Sequence, residues 1–565
     1  MKKNLHLFLL IFFLSVFMTE GYAQGNTTAS ILGKVSEKGE ESLPGATIIV
    51  THEPSGTRYT ATTDEKGAYR ISNMRVGGPY IMDVTYIGYK PFKGQNIYLQ
   101  LGDSQLINID LESEVSALEE VVLTGTKDSD FNSKKTGAQT IIDSKRIQNL
   151  PTLSRNITDF ARLTPQAQLR GDDVISISGQ NNRFNAIYID GAVNNDVFGL
   201  AANGTNGGQT GVSPISVDAI EQFQVQVAPF DVKISGFAGG SISAITRSGT
   251  NNFEGSAYYL NRNQNLAGMT PNAISSTNRS KLAEFDATTI GVRAAGAIKK
   301  DKLFYFINYE RQDNETPQPF EINNYIGNIA LQGSSPDIVP GLAATRIGEL
   351  SDYLISEYGY NPGEYASTNS SLVSDKFIAK VDWNINDNHK LAVRHSLVKA
   401  VNISPFRSSN TSINFYNGAQ EFTSTTNSSS IELSSRFSDK VSNNLVLGYT
   451  SVKDDRNALG NPFPYLEIRD GLGTIFVGSE PFSTANLLEQ KIFTLTDNVE
   501  IQAGINTITI GTHNEFSSSK NVFFGRNYGY YRYSTLQDFL DNNKTTSTPP
   551  WSSIRELQNA ASIFE

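Results

Sequence analysis

Among the residues that commonly do chemistry, the sequence offers five histidines, His6, His52, His389, His395 and His513, and no cysteine. Without thiols there can be no disulfide, thiolate metal site, thiol nucleophile or lipid-anchored N-terminal cysteine. His389 and His395 lie six apart and fit one face of a strand. A zinc site needs at least about three protein ligands, and no third is spaced to join them. Asp382-Trp383-Asn384-Ile385-Asn386 opens like a calcium loop, but the glycine and glutamate that complete such a loop are missing. The stretch from Asn203 to Gly211 is glycine-rich like a phosphate loop, yet no Gly-Lys-Ser/Thr follows. It reads as a flexible loop able to touch a ligand. Asp64 and Glu65 are adjacent carboxylates, and Gly67 after them makes a hairpin turn the better reading. No Ser/His/Asp set or spaced carboxylate pair appears, so the expectation is no catalytic residue, no metal and no cofactor.

The whole chain says more than these isolated groups. Its 565 residues exceed one domain. Charged residues are 18% of the total, and the balance is made up by uncharged polar residues, 46 glycines, 24 tyrosines and 31 phenylalanines. The usual charged share of a soluble protein is about 25%. A net charge of −10 argues against a nucleic-acid partner, which leaves a basic footprint. Lys2 and Lys3, the apolar run from Leu7 to Met18 and the small-residue triplet Gly21-Tyr22-Ala23 make a secretory leader, cut between Ala23 and Gln24. No later run is long enough for a membrane helix, which needs about 20 apolar residues. A mature chain that enters a membrane must do so with strands.

Residues 30–112 hold short β-rich runs at Ile31 to Val35, Ala46 to Thr51, Arg58 to Thr63, Tyr69 to Ser72, Tyr80 to Tyr86 and Ile107 to Leu111. Pro-Gly and Asp-Glu-Lys-Gly turns separate them, the pattern of a small β-sandwich. Leu43-Pro44-Gly45-Ala46, Thr63 to Tyr69 and Tyr86-Ile87-Gly88-Tyr89 resemble the carboxypeptidase-regulatory-like domain, a transthyretin-like sandwich. After a polar linker, Glu119-Glu120-Val121-Val122-Leu123-Thr124-Gly125 is a short extended segment suited to adding a strand to a partner's sheet edge. It resembles the TonB box of TonB-dependent receptors. Next, Ile177 to Gly191, with Gly179, Arg183, Asp190 and Gly191 at the motif positions, resembles the plug signature of that family. Ser178 stands where an arginine is common there. Ala219 to Val225 and the glycine run from Ser235 to Asn251 continue the likeness, nearest to the Oar-like subgroup. Tightly packed backbone in a lumen favours residues without a Cβ.

From residue 248 the chain alternates. Leu303, Tyr305, Ile307 and Tyr309 oppose Asn308 and Glu310; Phe377, Ala379, Val381 and Trp383 oppose Lys380 and Asp382; Leu391, Val393 and Leu397 oppose Arg394 and Ser396. The same dyads recur to Ile510, about nine strands in all. Tight links at 299–302, 386–388, 438–444 and 504–506 alternate with long ones, the arrangement of an outer-membrane barrel. Tyr530-Tyr531-Arg532-Tyr533 reads as a loop or an interfacial girdle.

The expected fold class is therefore mainly β. It comprises residues 1–23 as signal peptide, 24–112 as sandwich, 113–134 as linker with TonB box, 135–247 as α+β plug and 248–565 as the first part of an antiparallel transmembrane barrel. The resemblance implies a 22-stranded barrel, for which this length is too short, so the sequence is expected to be part of a longer chain. It also implies a receptor and transporter in the outer membrane of a Gram-negative envelope, not an enzyme. Its partners would be TonB with ExbB and ExbD, outer-membrane lipid, an extracellular ligand and a surface lipoprotein. The alternative is an adhesin or envelope structural protein that binds without active transport.

Overall fold

The computed structural model describes residues 25–548 apart from 38–40, 114–121, 125–137, 151, 153–154, 171–173, 235, 271–278, 328–341, 505 and 542–545. Residues 1–24, with the expected leader and its cleavage point at Ala23 and Gln24, lie outside the described residues, as do Glu119, Glu120, Val121 and Gly125. The chain is mainly β, as expected: a sandwich, a mixed α+β unit and a long antiparallel sheet.

In the sandwich, strands Phe92–Leu99, Gly77–Thr85, Thr47–His52 and Thr57–Thr62 are neighbours in that order. The opposing sheet pairs Ala29–Glu37 with Ala68–Met74. Ile48, Val50, Tyr80, Met82 and Val84 point into a common core. Alternate residues of an amphipathic strand do this when two sheets close face to face. The turn after Asp64 is the expected one. Gly67 has φ +71, and a Cβ there would stand 2.5 Å from the Val35 carbonyl oxygen. Phe92–Leu99 is a strand the sequence hides, because Lys93, Gly94, Gln95 and Asn96 carry little β preference.

The middle unit has a five-stranded sheet in the order Ala138–Asp143, Ile220–Val227, Gly240–Thr246, Ala186–Ile189, Ala192–Val193. Its short helix Ile157–Ala161 starts at Asn156, whose side chain and that of Asp159 form a capping box. Phe160 on that helix packs against Phe223 with ring centroids 5.9 Å apart. Every residue of Gly240–Thr246 is buried, and a Cβ on Gly240 would meet the Gln226 carbonyl oxygen at 2.5 Å. Close backbone approach is thus the reason for glycine at this point in the run.

The long sheet is a wall of nine consecutive antiparallel strands: Glu254–Asn263, Asp286–Lys299, Leu303–Gln318, Thr368–Asn384, His389–Ser404, Gln420–Ser438, Val441–Ala458, Asn486–Ala503 and Asn506–Phe523. Among the described residues the first and last pair on one side only. Register aligns the outward side chains into rows. Tyr305 faces Val381, Val381 faces Val393, Val393 faces Ile431, and Ile431 faces Leu447, which in turn faces Leu495. Such cross-strand neighbours are the unit of sheet stabilisation. Aromatic residues mark both margins of the band, Tyr309, Phe377, Tyr449, Phe493 and Phe516 on one and Trp383 and Phe437 on the other, all exposed. Phe377 and Trp383 are six residues apart. At about 3.4 Å per residue that is roughly 20 Å, close to the apolar belt of about 25 Å on outer-membrane barrels. No helix among the described residues is long and apolar enough to cross a membrane.

At the long-loop end, three connections and the segment after the last wall strand fold together. Helix Leu342–Tyr358 and a sheet containing Ser412–Asn414, Gly473–Val477, Tyr465–Asp470 and Tyr530–Tyr533 share one hydrophobic core. Ile347, Leu350 and Leu354 on one helix face meet Phe463, Ile468, Ile475, Tyr531 and Tyr533. Tyr530 to Tyr533 is therefore a strand of this cap, with two of its tyrosines in the core, rather than a loop or girdle.

Candidate functional site

The middle unit lies against the inward face of the wall, and its hydrophobic core is completed there by Ala295, Phe306 and Ile378. Polar wall residues at this interface are buried too, so each needs a partner. Two ion clusters supply them.

The first is built on the motif Asp190-Gly191. Both residues have positive φ, 46° and 72°, and they are the whole connection between Ala186–Ile189 and Ala192–Val193. That is the two-residue hairpin turn that favours Asp-Gly. The turn presents the Asp190 carboxylate to Gly240–Thr246, where Thr246 donates its backbone N–H at 2.8 Å and its hydroxyl at 2.7 Å. From the wall, Arg394 Nε lies 3.3 Å away and Lys380 Nζ 3.9 Å away. Burial alone would raise the Asp190 pKa; Lys380, Arg394 and the Thr246 hydrogen bonds outweigh it and hold the group below its ordinary value.

The second cluster reverses the signs. Glu310 of the wall is fully buried and receives Lys376 Nζ at 3.1 Å, Ser216 Oγ at 3.0 Å and Tyr258 Oη at 2.5 Å. Arg155, from the segment before the short helix, completes it at 3.5 Å and lies 4.8 Å over the Tyr258 ring. The plug unit thus gives an anion to one wall cluster and a cation to the other.

The stretch 203–211 is braced on the wall rather than free. Asn203, Thr205, Asn206 and Thr210 are buried. Gln209 donates to Asp454 at 2.7 Å and accepts from Arg456 at 3.0 Å. A Cβ on Gly207 would come within 2.0 Å of Thr426 Oγ1, which accounts for glycine at that point.

Of the residues singled out from sequence, Asp190 and Gly191 are in the first cluster. Gly179 has φ +77 with nothing within 4 Å of a Cβ, so it serves its turn. Arg183 is exposed, lies beside Gly199 and takes no part in either cluster. Val122, Leu123 and Thr124 form a short parallel strand on the edge of Phe92–Leu99, opposite Lys93, Gly94 and Gln95. Lys380, Arg394 and Glu310 were legible only as polar members of dyads, and Lys376, one residue before Phe377, carried no signal of its own. His389 and His395 do not meet; each has its own cross-strand serine, Ser435 at 3.0 Å and Ser429 at 2.9 Å.

A wall with an apolar outer belt, backed on its inward face by a second unit anchored through buried ions, has the layout of part of an outer-membrane barrel with its plug. The comparisons agree. The carboxypeptidase regulatory-like domain matches residues 30–112, the TonB-dependent receptor plug domain 132–242, and the outer membrane beta barrel domain 245–328 and 344–562. The chain belongs to the TonB-dependent outer-membrane receptors, proteins of the Gram-negative outer membrane that are not enzymes. The TonB-dependent transporter Oar of Myxococcus xanthus is 27% identical over 311 residues, 51% of this chain and 27% of that protein. The outer membrane transporter YddB of Escherichia coli superposes with a TM-score of 0.50 at 14% identity, covering 73% of this chain and 51% of that one. The chain therefore spans about a quarter of the length of the curated relative it matches and about half of the solved structure.

Proposed function

We propose that the protein works as an energised importer, taking a nutrient ligand from outside the cell and releasing it to the periplasm. The observation that carries this reading is the Asp190 cluster. A plug whose apolar contact with the wall is limited to a few side chains such as Ala295, Phe306 and Ile378, and whose other ties are buried ions and hydrogen bonds, can be displaced as a unit. Residues 119–125 serve as the TonB box, and TonB, powered through ExbB and ExbD, pulls there. The division into leader 1–23, sandwich 24–112, linker 113–134, plug 135–247 and barrel from 248 belongs to the same reading. The cap on the outer end suits ligand capture, and a surface lipoprotein would bind there.

A deletion strain tested on ferric siderophores, glycans and peptides as sole sources identifies the cargo. One class of growth is expected to be lost and to return with the intact gene. It should stay lost with Val122→Pro, because proline removes a ladder donor from the pairing strand. Full growth with Val122→Pro would favour the adhesin reading.

A further inference from the structure

We infer that the N-terminal sandwich is a door docked at rest across the periplasmic mouth, and that it must swing off when the plug is pulled. This rests on reading residues 119–125 as the TonB box.

The dock spans all four short turns of the wall. At the first turn Gly56 abuts Asp301, with a built Cβ 3.3 Å from the Asp301 Cβ. Beside the second, Asn384 donates to Thr57 Oγ1 at 2.9 Å and Lys390 Nζ lies 4.3 Å over the Tyr59 ring. Beside the third, Arg436 donates to Thr60 at 2.7 Å and Asn73 donates to the Asn443 carbonyl at 3.0 Å. Near the fourth, Glu500 joins all three parts of the molecule. Ser72 of the sandwich donates to it at 3.0 Å, Arg70 lies 3.7 Å away, and Lys233 of the plug lies 3.3 Å away.

The sandwich also holds the plug itself. The Leu101 backbone N–H donates to Gln222 at 2.8 Å and the Leu101 carbonyl accepts from Gln224 at 3.1 Å, both buried. Ahead of the first strand, Thr27 donates to Glu432 of the wall at 2.6 Å. Between the three parts lies a cavity of about 110 Å³ whose walls include Arg75, Asp190, Thr246, Lys380 and Glu432. The sandwich thus lies directly beneath the Asp190 cluster, and a plug leaving toward the periplasm has to displace it.

The character of the dock suits reversible opening. Among the described residues beyond the sandwich, only Ile245 joins its hydrophobic core. The hydrogen bonds and ion pairs named above join it to wall and plug, with a smaller apolar contribution from residues such as Val76, Phe304 and Trp383, a mixed contact like those between domains that move relative to each other.

The chain has no cysteine, so disulfide trapping has a clean background. The pair Thr57→Cys with Asn384→Cys, and independently Gly56→Cys with Asp301→Cys, are placed in the full chain in cells and oxidised with copper phenanthroline. Cells with an intact proton gradient are compared with cells given a protonophore. Capture of TonB by the same chain is scored in parallel by formaldehyde cross-linking. The disulfide is expected in most chains of de-energised cells with at least one pair, and at least threefold less in energised cells. Equal yields in the two states while TonB is captured would overturn the door alone. Failure of both pairs to cross-link in de-energised cells would also overturn it. Absence of TonB capture would instead sink the coupling reading, and the door with it.

Discussion

Alternate residues of one wall strand meet different surroundings. Along Thr368–Asn384, Phe377, Val381 and Trp383 stay exposed on the outward face, while Lys376, Ile378 and Lys380 are buried against the plug. The outward face is generic: any apolar side chain of fitting size satisfies lipid, and aromatic residues gather at its margins. The inward face is specific. Buried charges there answer particular residues of the plug, Lys380 and Arg394 to Asp190 and Glu310 to Arg155. One face holds the protein in the membrane and the other holds the plug in the wall.

Substitutions on the two faces should therefore fail differently. The largest effect is expected inside. Asp190→Ala leaves Lys380 and Arg394 buried without their carboxylate, and stranding buried charges costs about 3–5 kcal/mol. Urea denaturation should show the plug released first while the strands persist, and a single unchanged transition would contradict the cluster's anchoring role. On the lipid face, Val393→Arg near mid-band should cost about 2–4 kcal/mol and lower the yield of membrane-inserted protein without loosening the plug. Equal insertion of variant and parent would mean that this face does not meet lipid.

The sandwich supplies a third environment, one that senses acid. Burial, with Arg75 adding to it, pushes His52 down to about 2, from 6.5 in an unfolded chain. Below pH 6.5 the unfolded state binds a proton that the folded state refuses. The stability from neutral His52 is complete above that pH and is lost as pH falls toward 2, by at most about 1.4 kcal/mol per pH unit. Thermal melts of the full chain between pH 7 and pH 4 should show the decline, and His52→Gln should flatten it. Identical slopes would remove His52 from the account. The smallest effect belongs to the outward ion pair of Arg311 and Asp375, 3.1 Å apart and well exposed. Arg311→Ala should cost about 0–1 kcal/mol in urea denaturation. A loss as large as that of Asp190→Ala would erase the contrast between the faces.

Much of this was legible in sequence, for a physical reason. A strand between lipid and plug repeats every two residues, so Leu303 to Tyr309 and Leu391 to Leu397 announce both faces. Short turns announce themselves through Asn386-Asp387-Asn388 and Asp190-Gly191. The partners of Lys380, Arg394 and Glu310 were not legible, because they lie far off in the chain and sequence gives no distance between a plug turn and a wall strand. The cap was missed for a related cause. Its strands are short, come from separate loops, and bury Ile413, Ile475 and Tyr531 only once brought together. Arg183, prominent in the motif, is exposed, which shows that motif membership alone does not place a residue in an ion cluster.

Capture of TonB tests the central claim most directly. Outer membranes carrying the full chain are incubated with the purified periplasmic domain of TonB, and bound TonB is measured for the parent and for Val122→Pro. The account predicts that the parent captures TonB and that Val122→Pro captures at least tenfold less, with equal amounts of chain in the membrane. Equal capture by both would contradict it.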